Sequence, residues 1–92
     1  MKRYVIERDI PNIGNFDHGQ FCDAAKMSNA ALAQLGGKVQ WVHSYVVQNK
    51  TFCIYLSPNE AMVHEHAKLS GFPVTTITEA MAVIDPTTAH AA

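Results

Sequence analysis

Val39-Gln40-Trp41-Val42-His43-Ser44-Tyr45-Val46-Val47 is the stretch from which the rest of the chain can be placed. It is dense in β-branched and aromatic residues and holds neither glycine nor proline, so it reads as a strand. Side chains in a strand point alternately to opposite faces. Strict alternation puts Val39, Trp41, His43, Tyr45 and Val47 on one face and Gln40, Val42, Ser44 and Val46 on the other. The first face mixes large aromatics with an imidazole and a phenol, the chemistry of a site or an interface. The second is small and aliphatic in its middle, as a core-facing side would be.

The next segment, Thr51 to Leu56, is a returning strand after a hairpin loop at Gln48-Asn49-Lys50. A three-residue loop sets Val47 against Thr51, Tyr45 against Cys53 and His43 against Tyr55. This register is the expected one because it sorts the pair by chemistry. His43, Tyr45, Cys53 and Tyr55 fall on a polar aromatic side, and Val42, Val46, Phe52, Ile54 and Leu56 on a greasy, helix-facing side. A two-residue loop would flip the returning strand and mix the sets.

Upstream, a first strand runs from about Arg3 to Ile10 and stops at Pro11, which has no N–H to give a ladder. Tyr4, Ile6, Arg8 and Ile10 share one face, and Val5, Glu7 and Asp9 the other. A helix then starts at Asp17, an N-cap with Gln20 three residues on as in a capping box. Phe16 and Phe21 are placed to staple its first turn. Phe21, Ala24, Ala25, Met27, Ser28, Ala31, Leu32 and Leu35 form a stripe at helical spacing, and Gly36-Gly37 ends it.

Downstream, Ser57 as N-cap, Pro58 at the first helical position and Glu60 announce a second helix. Met62, Val63, His66, Ala67 and Leu69 supply its buried side, and Gly71 closes it ahead of the extended Phe72-Pro73. A last strand is expected from about Thr75 to Ile84. Asp85-Pro86-Thr87-Thr88 ends the folded part, so residues 1–88 read as one domain and 89–92 as a flexible C-terminal tail.

The element order is β-α-β-β-α-β, the ferredoxin-like α+β plan. Right-handed crossovers place both helices on one face of a four-stranded antiparallel sheet. The uncovered face, expected to hold Trp41, His43, Tyr45, Cys53 and Tyr55 beside Val5, Glu7 and Asp9, is too aromatic to stay in water. A two-fold homodimer in which two sheets close into a barrel covers it.

Composition narrows the function. The chain has 92 residues, 48% of them apolar, and a net charge of −1 with its few Lys and Arg scattered. A domain of this size buries roughly 60–65% of its unfolded surface, enough to fold alone but with something to gain from a partner. Scattered cations argue against a nucleic-acid surface. No apolar run is long enough to span a membrane. The N-terminus lacks a signal-peptide core, so the expected compartment is the cytoplasm. Cys22 and Cys53 fit no zinc or thioredoxin spacing, and a disulfide between them is not expected in a reducing compartment.

Several of these segments carry a resemblance. Tyr4 to Pro11 (YVIERDIP), Gln40 to Val46 (QWVHSYV), Cys53-Ile54-Tyr55, Glu65-His66-Ala67, Gly71-Phe72-Pro73 and Asp85 to Thr88 (DPTT) occur in the order expected of one family. The chain resembles the small bacterial ferredoxin-like domain-of-unknown-function proteins that include a nickel-binding member. The resemblance implies a ferredoxin-like fold, a homodimer of the dimeric α+β barrel type and, for part of the family, Ni(II).

The candidate residues follow from their chemistry. His43 is the leading metal ligand, because strand imidazoles bind transition metals or move protons. Glu7 and Asp9, two apart on one strand face, offer carboxylate oxygens to a metal, or else pair with Arg8 or Arg3. Cys53 offers a soft ligand when deprotonated and is otherwise a small hydrophobe. In His64-Glu65-His66 the two imidazoles point about 200° apart on a helix, so they cannot chelate one ion together; His66 faces the sheet. Tyr45, Tyr55 and Trp41 are placed to bind or orient an organic ligand, or to pack in the dimer. The expected function is binding of a divalent transition metal, nickel for preference, by a homodimer, with no catalytic residue assigned. The alternatives are a cofactor-free monooxygenase or isomerase with His43 as base, and a non-catalytic ligand carrier or structural dimer.

Overall fold

Residues 1–90 are described by the structure, a computed structural model. Four strands, β1 (Lys2–Asp9), β2 (Gln40–Val46), β3 (Lys50–Ser57) and β4 (Thr76–Ala80), form one antiparallel sheet in the order β2-β3-β1-β4. Helices α1 (His18–Gln34) and α2 (Glu60–Ser70) pack on one side of it. This is the ferredoxin-like α+β arrangement that the element order predicts. Among the described residues, no helix is long and apolar enough to cross a membrane.

Local chemistry starts and stops the helices largely as the sequence indicates. Asp17 caps α1, accepting the Gln20 backbone N–H at 2.8 Å while the Gln20 side chain accepts the Asp17 N–H at 2.9 Å. Phe16 and Phe21 stack across that turn with centroids 5.9 Å apart. At α2 the cap is Asn59, whose side chain accepts from the Met62 N–H; Ser57 instead donates to the Asn59 carbonyl from the end of β3. Gly71 ends α2 in the left-handed conformation, at φ 81°. The last strand stops at Ala80, four residues short of the expected end, because the pairing with β1 ends at Arg3 and Ala80. A short 3-10 turn, Pro86–Ala89, then follows a capping box at Asp85. The expected tail partly overlaps this turn, and Ala91 and Ala92 lie outside the described residues.

The hairpin and its faces differ from the expected register. The Val47 N–H bonds the Lys50 carbonyl at 3.0 Å and Val46 opposes Thr51, so the loop is the two-residue Gln48-Asn49. In addition β2 bulges. Trp41 opposes Tyr55 and His43 opposes Ile54, leaving Val42 as the extra residue. A bulge breaks the period of two, so Trp41 turns to the helix side with Ser44 while His43 and Tyr45 turn to the open side. Trp41 Nε1 donates to Ser44 Oγ at 2.9 Å across that break.

The returning strand is inverted for the same reason. Thr51, Cys53, Tyr55 and Ser57 face the helices, and Phe52, Ile54 and Leu56 line the open face, the reverse of the expected sorting. The core is Tyr4, Ile6, Val39, Cys53, Tyr55 and Val63, with Leu32, Leu35 and Met62 packed on it. Burying one such aliphatic side chain contributes about 1.5–3 kcal/mol. The face that β1 gives to the helices, Tyr4, Ile6 and Arg8, is as expected.

Candidate functional site

The expected site residues divide between two faces. On the open face, Glu7 lies opposite Phe52, and Phe52 opposite Tyr45; one pair along, Val5, Ile54 and His43 make the neighbouring row. His43 and Tyr45, both exposed, meet edge to face with ring centroids 5.0 Å apart. Glu7 is held from two sides. Thr76 Oγ1 donates to its Oε2 at 2.9 Å, and Lys50 Nζ lies 3.4 Å from its Oε1. These donors, Thr76 first, keep the Glu7 carboxyl below its usual range, so it is ionised at neutral pH. Lys50 also reaches Asp9 Oδ1, at 3.9 Å. The cation that pairs the two carboxylates is therefore Lys50, not Arg8 or Arg3.

On the helix face, Tyr55, Cys53 and His66 are buried. His66 Nε2 lies 3.2 Å from Ser28 Oγ, which lies 3.4 Å from the Tyr55 hydroxyl. The His66 and Tyr55 rings are 5.0 Å apart. Burial, with the nearby Arg8 charge second, pushes the His66 pKa below 6.5, so the imidazole of the folded protein is mostly neutral at neutral pH. Burial raises the Tyr55 phenol above its ordinary value. Cys53 Sγ is 3.2 Å from Thr51 Oγ1, and both cysteines are free thiols.

The five residues expected to ligate a metal therefore do not converge. Glu7 and His43 share the open face two strands apart, Asp9 is exposed at the end of β1, and Cys53 and His66 lie on the other side of the sheet. Among the described residues, no three of His, Cys, Asp and Glu come together as a metal shell within one chain. The aromatic set divides too, with Tyr45 outside and Trp41 and Tyr55 inside.

Trp41 and Tyr55 line a cavity of about 320 Å³ between the sheet and α1, walled also by Arg8, Phe21, Ser28 and Phe72. Arg8 and Ser28 were not singled out as site residues by the sequence. The signal was present: Arg8 is the one charged residue on the Tyr4-Ile6-Arg8-Ile10 face, and Ser28 the one hydroxyl in the apolar stripe of α1.

Comparison with known proteins agrees with this architecture. Residues 4–80 match the model of a family described as nickel responsive protein, SCO4226-like. The fold is similar to that in the crystal structure of SCO4226 from Streptomyces coelicolor A3(2), with a TM-score of 0.74 at 12% identity, covering 89% of this chain and 99% of that one. No curated protein matches the chain.

Proposed function

Because this chain belongs to the nickel-responsive SCO4226-like family, we propose that it binds a divalent transition metal, nickel for preference, as a homodimer joined through its open sheet faces. The observation that carries this reading is the position of His43. The bulge at Val42 turns its imidazole away from the core onto a face that also presents the ionised Glu7.

The donor types fit the ion. Imidazole nitrogen and carboxylate oxygen are ligands for nickel(II), and equally for zinc and copper. Their number within one chain falls short, so the proposal requires a second copy. A two-fold interface repeats every donor of the face and turns one imidazole and its carboxylates into two sets. The same face has a reason to be covered. It carries Phe52, Ile54 and Leu56 with no helix over them, and Tyr45 is 59% exposed. Lys50 now pairs with Glu7 and Asp9, so a metal recruiting either carboxylate displaces an ammonium. Cys53 and His66 are outside this proposal, because the sheet separates them from His43. The role is metal holding, with no catalytic step assigned.

Calorimetric titration of metal-stripped, tag-free protein with nickel tests it. Saturable heat is expected, with affinity reduced on the order of 10–100-fold in His43→Ala. No heat with nickel, zinc or copper, or a His43→Ala protein that titrates like the parent, would overturn it.

A further inference from the structure

The cavity between the sheet and α1 is separate from the open face and has a chemistry of its own. Its walls are almost wholly apolar, formed by side chains such as Ile13, Phe21, Trp41 and Phe72. One wall residue is a cation: Arg8, 2% exposed. Its Nη1 donates to the Pro73 carbonyl at 2.9 Å and more weakly to that of Phe72 at 3.5 Å. Its Nη2 has no hydrogen-bond partner among the described residues. The guanidinium carbon lies 5.7 Å from the Tyr55 ring centroid and 5.8 Å from that of Phe72. No carboxylate among the described residues pairs with it.

Such an arrangement is costly for a protein that only needs a core. A buried cation without a counter-charge destabilises the fold, and an apolar residue of the same size would serve packing better. Two aromatic faces and two carbonyls offset part of that cost, and they also hold the guanidinium in place beside an unfilled space. The charge that would complement such a cation is an anion.

We propose that this cavity binds a small monocarboxylic acid with an apolar body, its carboxylate against Arg8 and its hydrocarbon part along α1. The size agrees: at roughly 30 Å³ per water-sized unit, the space takes on the order of ten non-hydrogen atoms. The charge agrees too. One cation among greasy walls balances a single negative charge, whereas a phosphate dianion would remain uncompensated. Arg is suited to the task because its planar guanidinium offers a carboxylate paired donors and is more weakly hydrated than an ammonium. The Ser28 and Tyr55 hydroxyls provide further polar contacts at the same wall, and nothing in this site depends on a metal.

The experiment uses the full chain in a chelating buffer, so its outcome is independent of the metal proposal. Trp41, the one tryptophan in the sequence, lines the cavity and reports its filling. Octanoate, octanamide and inorganic phosphate are titrated against Trp41 fluorescence and by calorimetry. Octanoate is expected to saturate, with octanamide weaker by roughly tenfold or more for want of the charge-assisted bond. Arg8→Met is expected to erase the preference of acid over amide. Should that variant not fold, Ala25→Phe, which fills the cavity from the α1 side and keeps the cation, is expected to abolish binding of both eight-carbon ligands. Octanamide binding as tightly as octanoate, phosphate competing equally, octanoate binding undiminished in Ala25→Phe, or no response to octanoate would overturn the proposal.

Discussion

Ser28 Oγ on α1 stands 3.2 Å from Nε2 of His66 on α2, and through this contact the two helices are joined over the Tyr55 ring by a buried polar bond. Both residues are buried, at 3% and 0% exposure, so the bond is made away from bulk solvent. Ser28→Ala takes away the hydroxyl that partners both the His66 imidazole and the Tyr55 phenol. The expected cost is about 1–3 kcal/mol, less a few tenths regained from helix propensity. A lower urea midpoint with an unchanged slope is the expected result, and an unchanged midpoint would show the contact to be idle.

His66 also predicts how stability depends on pH. Its folded pKa is depressed, chiefly by burial, from the 6.5 that it recovers on unfolding. Below pH 6.5 the unfolded chain takes up a proton that the folded chain refuses, so stability is full above that value and declines as the pH falls toward the depressed one. Glu7 and Asp85 are depressed from 4.5 and 3.8 and add the same trend only in more acidic solution. The urea midpoint is therefore expected to fall between about pH 7.5 and about pH 5.5, and the slope to flatten in His66→Gln. A wild-type midpoint constant over that range would contradict the assignment.

Gly14 holds the loop after β1 against the β2–β3 hairpin. Its N–H donates to the Gln48 carbonyl at 3.0 Å, and a Cβ there would stand 2.8 Å from Gln48 Cα and 3.0 Å from the Val47 oxygen. Both obstacles are backbone, which cannot rotate aside. Gly14→Ala is expected to destabilise by about 1–3 kcal/mol, read as a drop in melting temperature. A variant as stable as the parent would show that the hairpin tip is free to shift.

Much of the fold was legible in the sequence, because its signals are local. The Asp17–Gln20 box, the Phe16–Phe21 pair and the Gly71 stop each act within one helical turn, and each appears in the structure. The faces of the hairpin were not legible, because they depend on two choices that alternation cannot show. One is the two-residue loop at Gln48-Asn49, and the other is the bulge at Val42. Sorting by hydropathy favoured Phe52, Ile54 and Leu56 inside. The fold instead takes Thr51, Cys53, Tyr55 and Ser57, whose polar atoms find partners there in Ser28, Asn59 and one another. The roles of Arg8 and Ser28 are not legible for a related reason: a lone polar residue in an apolar stripe shows its purpose only once the opposite wall is in place.

Nickel held between two open sheet faces, as proposed, makes metal binding and dimerisation one equilibrium. A ligand that needs both copies must tighten their association by linkage. Sedimentation equilibrium of tag-free protein, with chelator and then with nickel, measures this directly. The expected result is a dimer whose dissociation constant falls by about tenfold or more on adding nickel, with a smaller shift at the same nickel concentration in His43→Ala. A chain that stays monomeric at every concentration with nickel present, or a dimer indifferent to the metal, would contradict it.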